Sequence, residues 1–529
     1  MNLAHITIRR ISGGSGFICC LLLSILSNRA AETYQNPVVP GDFPDPSVIR
    51  VGKEYWATTT SSEWGPQFPL LKSADLVNWE LAGSVFAHRP SWASANFWAP
   101  EISEYQGRYF VYYVGRKING PLAVGVAIAP KPGGPYVDHG PLVAQPAGSI
   151  DPVPVTDENG RRYLVWKEDG NSRRQPTVLW AQPLAETGDR LVDEPRELFR
   201  NDAPWEGAVV EGPFVVRRDG WFYLFYSGNA CCGRACDYAL GVARSRALLG
   251  PWEKNPANPI LAGNAAWKCP GHGSIVQDAN SRYWLLYHAY SATNSIYTGR
   301  EALLDEVKFE TNGWPTINQG RGPSSRAQSP ARGSAPPPLE FKDDFTGPSL
   351  APGWQWPQEN EPRFRTARPD GLTLAAQPAF ATNLLGAVLA RSTWNADYIC
   401  STELTSLAPA SAAGIAVIGD PANALALLAG NGKLTLWRIH QGRPQKVIET
   451  DLSKTTPLHL RASATQARTF RFETAVDGKN WRAIGDPQPG DNLPPWDRGM
   501  RVGLVVGGAP GAEATFKSFH IQAAAGPAH

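Results

Sequence analysis

The sequence predicts an all-β protein: a five-bladed β-propeller followed by a β-sandwich. Three observations predict it. Five aromatic-rich runs begin at Tyr55, Tyr109, Tyr163, Tyr223 and Tyr283, in steps of 54, 54, 60 and 60 residues. Each run is preceded, 8 to 12 positions upstream, by one polar residue: Asp45, Glu101, Asp151, Glu211 and His272. After residue 320 the composition breaks, and a different strand pattern begins.

The repeat sets the first domain, at 32–319. A period of this size with β-type composition means a radial array of blades, each unable to bury its faces alone. In such an array, equivalent positions of successive blades meet around one axis, so five residues scattered along the chain are predicted to share one site. Outer segments echo one another too: Ala74-Asp75-Leu76-Val77-Asn78-Trp79, Gly133-Gly134-Pro135-Tyr136 and Leu249-Gly250-Pro251-Trp252 read as one turn-and-strand unit.

Residues 320–338 are rich in Ser, Ala, Pro, Arg and Gly and end in Pro336-Pro337-Pro338, so they read as an extended linker. From 339 to 529 short apolar segments such as Leu372-Thr373-Leu374, Leu434-Thr435-Leu436 and Val502-Gly503-Leu504-Val505-Val506 alternate with Asp, Gly and Asn turns. That is the pattern of a β-sandwich.

The amino terminus, 1–31, reads as a signal peptide. Arg9 and Arg10 precede the apolar stretch 17–26, and the small residues Ala30 and Ala31 follow. A lipoprotein site at Cys19 or Cys20 lacks the small residue that usually precedes it. The apolar stretch is too short to span a bilayer. Cleavage after Ala31 removes three arginines and no acid, taking the formal charge from +2 to −1. With no run of like charges, nucleic acid and anionic membrane are excluded as expected partners. The expected location is secreted or periplasmic. In an oxidising compartment Cys231, Cys232, Cys236 and Cys269 are expected to form two disulfides, with three pairings open and Cys400 left free. Adjacent cysteines chelate zinc poorly, which disfavours a metal site there.

The polar positions carry the chemistry. Asp45 stands in Pro44-Asp45-Pro46, Asp151 in Ile150-Asp151-Pro152 and Glu211 in Glu211-Gly212-Pro213. Proline one or two residues after each acid blocks helix and fixes the backbone where a strand begins. Three carboxyls crowded at one axis cannot all ionise freely, so one is expected to stay protonated beside another that is charged. Glu206, in Trp205-Glu206-Gly207, competes with Glu211 but lacks the following proline and fits the blade interval less well.

At these residues the sequence resembles glycoside hydrolase family 43. The match rests on Asp45, Trp98-Ala99-Pro100-Glu101, Asp151, Glu211-Gly212-Pro213 and Gly271-His272-Gly273, in order, over 36–318. The resemblance implies an inverting β-xylosidase or α-L-arabinofuranosidase acting on plant oligosaccharide or polysaccharide. It implies that Asp45 is the general base, Glu211 the general acid, and Asp151 the residue that orients Glu211 and raises its pKa. Inversion calls for carboxyls about 6.5–9.5 Å apart. It further implies sugar contacts from Trp98, Glu101 and Arg300. No cofactor is required for the chemistry. His272 could bind a hydrated calcium ion at the propeller axis, a hydrogen-bonded histidine without metal being the alternative. Asp343-Asp344-Phe345 and the following hairpins resemble a concanavalin-like domain, which in some relatives lends a loop to the pocket. Two other readings stay open: a lectin-like sugar-binding propeller, and a retaining fructan-type hydrolase, whose Glu-Cys acid motif is absent here.

Overall fold

The structure, a computed structural model, describes residues 31–293, 295–333, 339–367, 371–380, 382–452 and 456–524; the signal-peptide reading lies almost wholly outside them. Between 47 and 317 the chain forms five antiparallel sheets, each of four strands taken in sequence order. The innermost strands are Ser47–Val51, Ala93–Tyr105, Ser149–Thr156, Val210–Arg218 and Trp267–Gln277. Each packs against the innermost strand of the next sheet, and the fifth packs against the first, closing a ring. The aromatic runs are the second strands, and Tyr112, Trp166, Tyr226 and Tyr287 among them are almost wholly buried between sheets.

The ring is kinked toward its axis at one residue per sheet. Asp45, Ala99, Asp151, Gly212 and His272 all have positive φ, between 40° and 57°. Four of them sit at shifts in the pairing of the innermost strand with its neighbour. Such a bulge re-aims a side chain out of the sheet. For a residue other than glycine it costs about 1–3 kcal/mol, which the surrounding structure must offset. Hydroxyls from adjacent strands take up amides near the kinks: Ser274 Oγ accepts from Val48 N at 2.7 Å, and Ser227 Oγ from His272 N at 2.9 Å. Gly212 is required where it stands, because a Cβ there would lie 2.8 Å from His272 Cγ.

The ring is clasped by the amino terminus. Ala31–Gln35 pairs antiparallel with Arg326–Gly333, and Asn36 Nδ2 donates to Leu304 O and Ser324 O. Part of the segment read as an extended linker is therefore a strand. Its composition carries no strand signal, and only the partner strand makes it one.

The second domain is a sandwich of a six-stranded and a nine-stranded sheet among the described residues. Inward residues such as Leu374, Leu404, Ile415, Val417, Leu460, Phe472, Leu504 and Phe516 form its core. That core continues into the propeller through Tyr238, Tyr290, Ile296 and Tyr297. Trp356–Pro357 pairs with Trp64–Gly65 of the first propeller sheet. Arg501 Nη1 meets Asp42 Oδ2 at 2.9 Å, with both side chains 2% exposed. Close approach needs Gly499, whose Cβ would stand 2.3 Å from Thr298 O. No helix among the described residues is long and apolar enough to cross a membrane.

Removing one partner of a buried ion pair strands the other charge. Arg501→Met is expected to destabilise the protein by about 3–5 kcal/mol, read as a fall in the urea midpoint. Adding Asp42→Asn to the same chain is expected to recover more than half of that loss.

Candidate active site

A cavity of about 500 Å3 opens at the ring's axis, lined by Asp45, Trp98, Asp151, Lys167, Glu211, His272 and Arg300. A larger cavity of about 690 Å3 lies between the amino-terminal strand and Trp394. Its two acids are occupied with backbone: Asp75 Oδ1 accepts from Val77 N and Asn78 N, and Glu301 Oε1 from Gly41 N. Of these two, the axial cavity is the one that gathers Asp45, Asp151 and Glu211.

Asp45 is buried, and each of its oxygens has partners. Oδ2 accepts from Thr60 Oγ1 at 2.7 Å, while Arg300 Nη1 donates to Oδ1 at 2.9 Å. His272 Nδ1 lies 3.4 Å from Oδ1 and His288 Nδ1 lies 3.1 Å from it. Burial alone would raise the pKa of Asp45. The Arg300 charge, with His272 and His288, outweighs burial and holds the carboxyl well below the usual range. His288 Nδ1 lies 3.1 Å from Asp45 N as well, so the ring faces both the amide and the carboxyl of that residue. Burial and the Arg300 charge lower the His288 pKa to about 4, so the imidazole is neutral at ordinary pH.

Asp151 and Glu211 form a second unit. Gly212 N donates to Asp151 Oδ2 at 2.9 Å. Glu211 Oε2 accepts from Lys167 Nζ at 2.7 Å and Oε1 from Tyr238 OH at 2.9 Å. Burial pushes Asp151 up, the nearby His272 charge opposes it, and the Glu211 charge adds to the rise. Burial also acts on Glu211, but Lys167 and Tyr238 outweigh it and hold the carboxyl below its usual range. In the free site the buried Lys167 ammonium dominates at Glu211, and Asp151 is the member of the pair that is pushed up.

The structure thus brings together Asp45, Asp151, Glu211, His272, Arg300 and Trp98. Glu101, expected to contact sugar, is not part of the cavity lining. Ala99 occupies the kinked inner position, and Glu101 stands in the strand behind it, pairing with Tyr112 and hydrogen-bonded to Ser47. There burial raises its pKa to about 8. Glu206 is fully buried, held by Lys254 at 2.7 Å and Tyr226 OH at 2.7 Å, and braces its sheet instead of lining the cavity. His272 turns toward Asp45. Among the described residues no group of three or more His, Cys, Asp or Glu side chains could hold a metal ion. That donor set does not fit a directly ligated calcium, which takes six to eight oxygens.

Several residues at the site were not anticipated. Lys167 directly follows the aromatic run Tyr163-Leu164-Val165-Trp166, and its side chain is 1% exposed. Tyr238 stacks on His288, with ring centroids 5.8 Å apart. The sandwich contributes Trp496 and Asp497 to the lining. Trp496 meets Trp98 edge to face at 6.0 Å, Arg300 Nη2 donates to Asp497 O at 3.0 Å, and Ser62 Oγ donates to Asp497 Oδ2 at 3.0 Å. The four propeller cysteines pair as Cys231–Cys232 and Cys236–Cys269, and Cys400 is free and buried.

Arg300→Leu is expected to raise the Asp45 pKa by about 1–3 units, followed by carboxyl NMR titration. In the native protein the depressed Asp45 contributes stability above its unfolded pKa, about 3.9, and that contribution is lost as pH falls. The variant is expected to have a smaller contribution to lose, and to finish losing it at a higher pH. An Asp45 titration that does not move would contradict the assignment of Arg300 as its main counter-charge.

Residues 34–315 match the family model described as glycosyl hydrolases family 43, and residues 342–522 match the β-xylosidase C-terminal concanavalin A-like domain. Among curated proteins the chain is 29% identical over 382 residues to a xylosidase/arabinosidase, 43B, of Humicola insolens, covering 68% of this chain and 69% of that one. It is 25% identical over 503 residues to a putative β-xylosidase of Escherichia coli, covering 85% and 90%. Among solved structures, a mutant of the family 43 protein BlXynB from Bacillus licheniformis superposes with a TM-score of 0.81 at 26% identity, covering 93% of this chain and all of that one. By the extent of that match and the site it contains, the chain belongs to the glycosyl hydrolases of family 43.

Proposed function

We propose that the protein is an inverting, exo-acting glycoside hydrolase that releases terminal β-D-xylose or α-L-arabinofuranose from plant cell-wall oligosaccharide or polysaccharide. The observation that carries this reading is one cavity lined by Asp45, held ionised by Arg300, and by the pair Asp151 and Glu211, in which burial and the Glu211 charge push Asp151 up to about 6. Relatives named for both xylosidase and arabinosidase action support the substrate class. The wall that the second domain adds to the cavity at Trp496 and Asp497 supports attack at a chain end over attack within a long chain.

In this reading Asp45 takes a proton from water as that water attacks the anomeric carbon. Arg300, Thr60 and the neutral His288 keep it oriented and charged. Glu211 donates a proton to the departing oxygen, and Asp151 stands behind it as proton reservoir and positioning group. Because Lys167 holds Glu211 ionised in the free site, the proton must pass from Asp151 to Glu211 once sugar hydroxyls compete for the ammonium. Microscopic roles of this kind belong to the coupled pair more than to either member. His272 and Trp98 shape the sugar's seat. Export to the periplasm or medium belongs to the same proposal, supported by the amino-terminal pattern.

A panel of aryl β-D-xylosides and α-L-arabinofuranosides is expected to give turnover of at least one, with Asp45→Ala below a tenth of native activity. Glu211→Ala is expected to lose most activity on natural glycosides and less on aryl glycosides whose leaving group needs no proton; equal losses would contradict the acid role. Lys167→Met removes a cation from the carboxyl pair, so both members hold protons to higher pH. The alkaline limb of kcat/KM is then expected to move up by about one unit, and a downward move would contradict the proton-sharing scheme.

A further inference from the structure

The bridge between adjacent Cys231 and Cys232 has no task in the chemistry above, yet both residues line the axial cavity beside Glu211 and His272. Its position in the chain argues against a bracing role. A disulfide stabilises chiefly by closing a loop in the unfolded chain, and the effect grows with loop length. Cys236–Cys269 closes a separation of 33 residues, whereas Cys231–Cys232 closes a separation of one.

Other bonds already fix the loop that carries it. Asn229 Nδ2 donates to Asp237 Oδ2 at 2.6 Å, Ala230 N to Asp237 Oδ1 at 3.0 Å, and Asp237 N to Ala230 O at 3.1 Å. Gly233 N donates to Tyr290 OH at 3.3 Å, and Arg234 Nη2 reaches Asp491 O of the sandwich at 2.6 Å. A Cβ on Gly233 would lie 3.5 Å from Trp496 O, so the loop abuts the segment that presents the Trp496 ring. That ring is 60% exposed, unusual for so large an apolar side chain, and it leans on Trp98. Trp98, Trp496 and the two cysteines thus make an apolar rim from three distant chain segments, above a floor of charged groups.

We propose that this rim is the leaving-group half of the pocket, and that the Cys231–Cys232 bridge is a fixed apolar plate against which the sugar beyond the scissile bond lies. A bridged pair presents two polarisable sulfurs and no donor, suited to the C–H face of a sugar ring. Two free thiols would present rotatable S–H groups at the same place. The residues that set specificity for the second sugar are then Cys231 and Cys232, which neither hold nor move a proton in the reaction. This rests on the glycosidase reading above.

The test compares native protein with C231S/C232S, which leaves Cys236–Cys269 intact. Two quantities are read in each: kcat/KM on xylobiose or on an α-1,5-linked arabinobiose, whichever the native protein splits, and the inhibition constant of the released monosaccharide, which fills only the glycone half. Loss of the plate is expected to lower kcat/KM on the disaccharide about 10-fold, carried by KM, with the monosaccharide constant within about 2-fold of native. The thermal midpoint is expected to stay near native, since the bridge closes no loop. An unchanged disaccharide kcat/KM would overturn the proposal, as would disaccharide KM and monosaccharide constant rising together, the mark of a brace. If the native protein splits neither disaccharide nor any aryl pentoside, the glycosidase reading itself fails, and this inference with it.

Discussion

Closure of the ring of innermost strands is the constraint on which the site depends. In or just before each innermost strand a left-handed residue kinks the chain at the axis, and closure brings those kinks together. Strain at four non-glycine positions is tolerable because neighbouring strands on both sides hold each kink. Opening the ring would release the kinks and scatter the carboxyls together. Fold and site are in this sense one object: the same bulges that interrupt strand pairing are what aim Asp151 and His272 inward, and the kink that aims Asp45 immediately precedes its strand.

Charge then divides the cavity into two halves. Around Asp45, one guanidinium and a hydroxyl leave the carboxyl ionised despite burial. Around Glu211, a buried ammonium shared with Asp169 holds the carboxyl below its usual range, while burial and the Glu211 charge push Asp151 up to about 6. The sandwich enters this balance at a distance. Asp42 links Arg501 of the second domain to the Arg300 amide, and Asp497 O accepts from the Arg300 guanidinium. The counter-ion of Asp45 is thus held by both domains.

Asp45, Asp151 and Glu211 were legible because each couples an acid to a nearby proline at a recurring distance from an aromatic run. Glu101 was misplaced because the acid itself was counted instead of the kink. The left-handed residues precede the runs by 10 to 12 positions, which selects Ala99 and leaves Glu101, at 8, outside. Lys167 was hidden because a lysine ending an apolar strand is as often a solvated edge residue as a buried one. Trp496 and Asp497 lie about 180 residues beyond the last propeller strand and carry no local sign of their destination. The Cys236–Cys269 bridge and the strand at Arg326–Gly333 depend on partners distant in sequence, which local composition cannot name.

The proposed roles of Asp45 and Glu211 make one prediction about stereochemistry. If Asp45 activates water on the face opposite the oxygen protonated from Glu211, the first product carries the inverted anomeric centre. Proton NMR of the sugar released in the first minutes, before mutarotation, reads this directly. Initial α-xylose from a β-xyloside, or initial β-arabinose from an α-arabinofuranoside, is the expected result; initial retention would contradict the account.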